Sequence, residues 1–304
     1  MNDFVSGIVT IAGRTNVGKS TLINQIIETE IAIATHKPQT TRNLIKGVYE
    51  DDESQIVFVD SPGMHKANDQ LGKNMQKTAS VAIQETDLVL LVVDARRNQI
   101  ENIEKQIIRL AKASNVPLIL VINKIDLVEK IKLLPLIQKY NDYAKFVATV
   151  PISAKNNDGI KILISEVKKF LPKSYSPLDI PYTDQTEKSL AAELIRREII
   201  EQISEEIPYQ IAIKVEEFSE SFDQAGKRTR VQINATIICE RESHKKILLG
   251  KKGQQIAAIG KGSRKKIEKM LDTPSDLMLF VKVSPDWRNS HSYLKELGYI
   301  SQDL

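Results

Sequence analysis

One short run constrains this chain more than any other: Gly13-Arg-Thr-Asn-Val-Gly18-Lys19-Ser20, a G-x4-G-K-S pattern. It follows an apolar stretch of strand character and opens an amphipathic stretch of helical character. In that context the glycines let backbone N–H groups converge at a helix N-terminus, which suits an anion such as phosphate. A chain that opens this way builds strand–loop–helix units. Such units bury their apolar faces as a mostly parallel sheet with helices on both sides.

The alternation continues through the first half. Strands are expected over residues 7–12, 55–59, 88–93, 117–122 and 146–152, and helices over 19–28, 71–85, 98–113, 130–140 and 159–170. Residues 171–182 hold three prolines in twelve positions and read as a linker. After it the order changes to helix 186–206, strands 209–218 and 228–240, helices 242–249 and 254–271, and strand 277–284. The expected architecture is therefore α/β: a P-loop domain over 1–172, a linker over 173–185, and a smaller α/β domain over 186–304.

Composition narrows the function classes. No apolar run approaches the roughly 18 residues that span a bilayer. The first residues, MNDFVSGIVT, carry an acid and lack the basic region of a signal peptide. A single cysteine, Cys239, excludes an internal disulfide or a cysteine-rich metal site and fits a reducing, cytoplasmic setting. His36, His65, His244 and His291 form no ligand spacing. The net charge of +4 is small, but residues 241–270 hold 10 Lys and Arg against 2 Asp and Glu. Residues 173–240, by contrast, hold 8 against 13. One compact basic block thus sits in an otherwise acidic C-terminal region.

The phosphate end can be read residue by residue. Lys19 is placed to reach β- and γ-phosphates, and the Ser20 hydroxyl to ligate Mg²⁺. Asp60-Ser-Pro-Gly63 closes a second apolar strand, 41 residues after Lys19. As a D-x-x-G there, Asp60 is placed to hold the metal through water and the Gly63 N–H to sense the γ-phosphate. On its own the tetrapeptide would be an ordinary turn. Between them lies the polar run Pro38-Gln-Thr40-Thr41-Arg42, where a threonine could complete the metal shell only with γ-phosphate present. We assign Thr41 rather than Thr40 to that role.

At the other end, Asn123-Lys124-Ile125-Asp126 closes the strand that begins at Pro117. A carboxylate there can accept from guanine N1–H and N2–H₂ together, a donor pair adenine lacks, so Asp126 favours GTP over ATP. Asn123 would brace the site and the Lys124 stem would cover the base. Ser153-Ala154-Lys155 follows the last strand and offers the Ala154 N–H to the guanine carbonyl. Strand ends of an open α/β sheet are where its ligands bind.

The basic block contains Gly250-Lys251-Lys252-Gly253 between two helical stretches, followed by Lys261, Arg264, Lys265 and Lys266. A G-x-x-G turn permits the close backbone approach with which a KH domain clamps four nucleotides, and the cations suit phosphates. A Lys-rich helix is otherwise only a solvated face, and Ile247, Ile256, Ile259 and Ile267 divide between groove and core. The block could also meet anionic lipid, but RNA accounts for it better. Asp286-Trp287-Arg288 reads as a structural anchor.

Together these motifs resemble the bacterial Era GTPase family over nearly the full chain, with Gln39-Thr-Thr-Arg42 and Asp286-Trp-Arg-Asn-Ser290 matching as well. The resemblance implies a Ras-like GTPase domain followed by a type II KH domain. It implies a nucleotide site of Gly13, Asn16, Val17, Gly18, Lys19, Ser20, Thr21, Asp60, Gly63, Asn123, Lys124, Asp126, Ser153 and Ala154. The metal ligands would be Ser20, Thr41 and Asp60, and the catalytic residues Lys19, Thr41 and Asn16. RNA would meet Gly250, Lys251, Lys252, Gly253, Lys261, Arg264 and Lys265. Implied too are GTP and GDP, Mg²⁺, the 3′ end of 16S rRNA, assembly of the small ribosomal subunit, a partial peripheral inner-membrane association and a monomeric state. Two positions depart: Thr15 stands where proline is usual and Ser61 where threonine is frequent. Met64 follows the D-x-x-G where Ras-like enzymes carry a water-orienting glutamine. Asn16 either holds a K⁺ ion against the phosphates or simply tolerates a tight loop. Two alternatives share this reading: a related GTPase acting on another RNA, and a GTP-switched RNA-binding module with negligible hydrolysis.

Overall fold

The computed structural model describes residues 4–28, 42, 44–63, 67, 69–174, 186–203, 207 and 210–300. They form two compact units, Met1–Asn68 with Gly72–Asp184, and Asp69–Leu71 with Gln185–Leu304.

In the first unit the order is β1 (Val5–Gly13), α1 (Lys19–Ile27), β2 (Ile45–Asp51), β3 (Ser54–Asp60), α2 (Gln70–Gln84), β4 (Leu88–Asp94), α3 (Asn102–Ala113), β5 (Leu118–Asn123), α4 (Leu133–Tyr143), β6 (Ala148–Pro151) and α5 (Ile160–Lys168). The sheet runs β2-β3-β1-β4-β5-β6, and its pairings are parallel except that of β2 with β3. Strand period two explains why the central strands are apolar throughout. Leu88, Leu90 and Val92 face a core shared with Leu22 and Ile26 of α1 and Leu163 and Val167 of α5. Val89, Leu91 and Val93 face the opposite core, with Ile83 of α2, Ile107 of α3 and Leu136 and Tyr140 of α4. Leu90 is wholly buried. Leu90→Ala should therefore destabilise the protein by about 2–5 kcal/mol, read as a lowered urea midpoint in far-UV circular dichroism.

The edge strand β2 is not among the strands expected from sequence. Its apolar residues Ile45, Val48 and Tyr49 do not alternate, which hides the period. The hairpin with β3 forms because Asp51 closes it. Its carboxylate accepts from the Glu53 N–H at 3.1 Å, Ser54 Oγ at 2.9 Å and Tyr49 Oη at 2.9 Å. Lys168 Nζ of α5 also donates to it at 2.7 Å. Burial alone would raise the Asp51 carboxyl, yet the bonds from Lys168, Ser54 and Tyr49 hold it at about 2. Residues 172–174 pair with the start of the chain: Ser6 N–H donates to Pro172 O at 3.1 Å and Ser174 N–H to Phe4 O at 2.8 Å. Residues 175–185 of the expected linker lie outside the described residues.

In the second unit the order is α6 (Glu187–Gln202), β7 (Ile211–Phe222), β8 (Arg228–Cys239), α7 (Glu242–Leu249), α8 (Gln254–Leu271), β9 (Ser275–Val283) and α9 (His291–Glu296). β8 lies centrally, antiparallel to β7 and parallel to β9. Val231, Ile233, Ala235 and Ile237, at alternate positions of β8, pack against Ile195 and Ile199 of α6 and Ile259 and Ile267 of α8. Trp287 is wholly buried and donates from Nε1 to Gln210 O at 3.1 Å, the anchoring role expected of it. The short helix α9, also not expected, is held by buried Leu294 and by Ser290, whose hydroxyl accepts from the Tyr293 N–H. Cys239 is buried on β8, which pushes its thiol up. Among the described residues no helix is long and apolar enough to cross a membrane.

Candidate nucleotide site and nucleic-acid interface

Loop 13–20 joins β1 to α1 at the C-terminal edge of the sheet. Gly18 has φ 101°, and a Cβ there would lie 2.3 Å from Asn123 Nδ2, so the position demands glycine twice over. Lys19 is buried, with Nζ donating to Gly13 O at 3.3 Å and Arg14 O at 3.0 Å. Burial pushes its pKa down, while the nearby Asp60 charge pushes it up. An ammonium whose hydrogen bonds, among the described residues, go to carbonyl oxygens is poised for a stronger anionic partner.

Ser20 Oγ donates to Asp60 Oδ2 at 2.7 Å, and both residues are buried. A hydroxyl and a carboxylate converging beside the phosphate loop are the oxygen donors a hard divalent cation takes. Gly63 lies against the loop, where a Cβ would come within 2.7 Å of Thr15 Cγ2. Thr21 follows on α1, partly buried. Thr40, Thr41 and Met64 lie outside the described residues; Arg42 is described and buried.

At the base end Asn123 is a junction. Its Nδ2 donates to Val17 O at 2.9 Å, while its Oδ1 accepts from the Lys124 N–H at 2.7 Å and the Ala154 N–H at 3.0 Å. The bond to Val17 turns the amide so that Oδ1 faces the 153–155 turn. The Ala154 N–H, expected to meet the guanine carbonyl, is thereby given to Asn123. Ser153 Oγ donates to Asp126 Oδ1 at 2.6 Å and so orients that carboxylate. Lys124 Nζ crosses to Asn16 O of the phosphate loop, at 2.5 Å. Asn16 itself is left-handed, φ 63°, the tight conformation that asparagine tolerates. Thirteen of the residues expected at the nucleotide site thus gather at one sheet edge, with Thr21 behind them. Asp94 and Arg96 also stand at this edge, though no sequence motif pointed to them. The one available signal was an aspartate closing an otherwise apolar strand, in register with Asn123.

In the second unit Gly250-Lys-Lys-Gly253 joins α7 to α8. Gly250 has φ 69° and ψ −178°, a region only glycine enters readily, and a Cβ would lie 2.6 Å from that of Gln255. Lys251 and Lys252 are exposed. A groove of about 470 Å³ lies between α8 and β9. Ile256, Ala257, Gly260, Leu277 and Leu279 line it, with the cations Lys261 and Arg264. Lys265 is exposed but does not line the groove. Lys266 turns the other way, to Glu198 at 2.6 Å and Glu201 at 2.5 Å on α6. The isoleucines divide: Ile259 and Ile267 are core, Ile256 lines the groove, and Ile247 is exposed.

Comparison with known proteins agrees with both units. Residues 8–124 match a family described as 50S ribosome-binding GTPase, and residues 206–288 match the KH domain family. GTPase Era of Geobacter metallireducens is 45% identical over 300 residues, covering 98% of this chain and 99% of that protein. GTPase Era of Ruminiclostridium cellulolyticum is 43% identical over 298 residues, covering 97% of this chain and 98% of that protein. A crystal structure of an Aquifex aeolicus Era variant bound to GDP·AlF4⁻ has a TM-score of 0.91 at 36% identity, covering 98% of this chain and 100% of that one. Era in complex with MgGDPNP and nucleotides 1506–1542 of 16S ribosomal RNA gives 0.92 at 36% identity, with the same coverage. A Ras-like P-loop domain, a KH domain and near-complete overlap at these identities place the chain in the GTPase Era family.

Proposed function

We propose that this GTPase binds GTP with Mg²⁺ at the first unit and the 3′ region of 16S rRNA at the KH groove, and that it assists small-subunit assembly. The observation that carries the nucleotide half is the Asn123 junction, which ties the base-reading segment to the phosphate loop. Asp126 accepts from the guanine edge, its orientation set by Ser153. Lys19 meets the β- and γ-phosphates. Ser20 and Asp60, with Thr41, would hold Mg²⁺, which neutralises phosphate charge as it develops. The 16S assignment rests on the rRNA-bound relative together with the groove, where apolar floor and flanking cations suit stacked bases and their phosphates. That combination favours RNA over an anionic lipid surface for the basic block. Purified protein should bind GTP in preference to ATP, and a 3′-terminal 16S fragment in preference to a 23S fragment of equal length. Equal binding of the two fragments would remove the small-subunit assignment.

Met64 cannot orient a water, so intrinsic hydrolysis should be slow. We assign Asn16 to a K⁺ ion that offsets the charge an arginine finger otherwise meets. Turnover should then be faster in K⁺ than in Na⁺ at equal ionic strength. Asn16→Gly, which keeps the left-handed backbone, should abolish the difference. Equal rates in the two salts would leave Asn16 with a purely conformational role.

A further inference from the structure

We propose that Asp94 is a positioning residue of the nucleotide site, holding the Lys124 ammonium where it clasps the phosphate loop. None of the four sequence motifs contains it. This inference rests on the reading of the first unit as a guanine-nucleotide site.

Asp94 closes β4 beside Asn123 of β5, and the Ala95 N–H donates to Asn123 O at 2.8 Å. Its side chain is only 4% exposed, and two cations hold it. Arg96 grips it with two prongs, Nε to Oδ1 at 2.9 Å and Nη2 to Oδ2 at 2.7 Å, and adds its backbone N–H at 3.1 Å. Lys124 Nζ completes the set at 3.0 Å from Oδ2. An aspartate that merely closed the turn after β4 would need the Arg96 N–H alone. The bond to Lys124 does more, because the same ammonium donates to Asn16 O.

Three segments distant in sequence therefore meet through one ammonium: the end of β4, the base-reading segment after β5 and the phosphate loop. Lys124 sits there with φ 66°, a conformation costly for a lysine. Such strain persists where the surroundings over-determine it. Asp94 and Asn16 hold the side chain, and the Asn123 side chain holds the backbone N–H. Burial would raise the Asp94 carboxyl, but the bonds from Arg96 and Lys124 outweigh it and hold it at about 2. The anchor is thus charged throughout the physiological range. Arg96 keeps its carboxylate aimed, and because the Arg96 side chain is 51% exposed it can be removed without opening a cavity.

The test is release of a fluorescent GDP from the full chain, chased with excess GDP. Asp94→Asn keeps the shape and weakens the grip on Lys124, so release should quicken about tenfold, the worth of a charged hydrogen bond. In a Lys124→Met background, already fast, Asp94→Asn should add less than about twofold, since its partner is gone. A residue that only stabilised the fold would accelerate release equally in both backgrounds, and that result overturns the proposal, as does release at the parental rate. Should Asp94→Asn lose its far-UV spectrum, Arg96→Ala decides the matter. Acceleration only when Lys124 is present supports the proposal, and any other pattern overturns it. A parent chain that holds no guanine nucleotide would defeat the functional reading itself. A parent that holds GDP, with variants that release no faster, defeats this inference alone.

Discussion

Asp126→Asn should bind GTP about a hundredfold more weakly and gain affinity for xanthosine triphosphate. A site built to hydrogen-bond a substrate group discriminates strongly against a mismatch, because buried donors and acceptors are left unpaired. Asparagine keeps an oxygen that can accept from Ser153 Oγ, now 2.6 Å from Asp126 Oδ1. The turn at Ser153-Ala154 should therefore survive the change. The other atom becomes an N–H₂ facing the guanine N1–H and N2–H₂, donor against donor. Xanthine carries a 2-oxo group in place of the 2-amino group and accepts where guanine donates. Competition of GTP and xanthosine triphosphate against a fluorescent GDP reads both effects. A variant that binds GTP as its parent does would remove Asp126 from base recognition.

The second large effect is expected in the other unit. Gly250→Asp with Gly253→Asp should abolish measurable RNA binding while nucleotide binding persists. The carboxylates would stand where phosphates must approach, on either side of Lys251 and Lys252. The structure adds a local cost: Gly250 lies at φ 69°, ψ −178°, and its new Cβ would press on Gln255. Gly253, at φ 79°, has open space around it. Lys251→Ala with Lys252→Ala avoids the backbone strain and isolates the charge. That variant should lose affinity evenly across RNA sequences and flatten the salt dependence, by about 0.7 in log–log slope for each phosphate no longer neutralised. Filter binding across a salt series measures it. An unchanged slope would place the phosphate-binding cations elsewhere.

How much of this was legible in the sequence follows from which interactions are local. The phosphate loop, the D-x-x-G, the N-K-x-D and the G-x-x-G are each set by a strand or helix end and the few residues after it, and a linear string displays that. The period-two cores of β4 and β5 are visible for the same reason. The strand β2 was hidden because Ile45, Val48 and Tyr49 break alternation, and the hairpin is closed by Asp51 with Lys168, 117 residues away. The partner of the Ala154 N–H depended on the orientation of the Asn123 amide, which Val17 sets from 106 residues away. Lys265 and Lys266 look alike in a basic run, yet adjacent positions on α8 send one to solvent and the other to Glu198 and Glu201. Asp94 carried no motif. Its role exists only where β4 and β5 lie side by side.

In the proposed function one chain joins a GTP site to recognition of a particular ribosomal RNA. Crosslinking the protein to RNA in its own cells, followed by sequencing of the bound fragments, tests it most directly. Reads should accumulate at the 3′ end of 16S rRNA and vanish for the Gly250→Asp, Gly253→Asp variant. Reads concentrated in 23S rRNA or spread over messenger RNA, or a 16S signal that survives that variant, would contradict it.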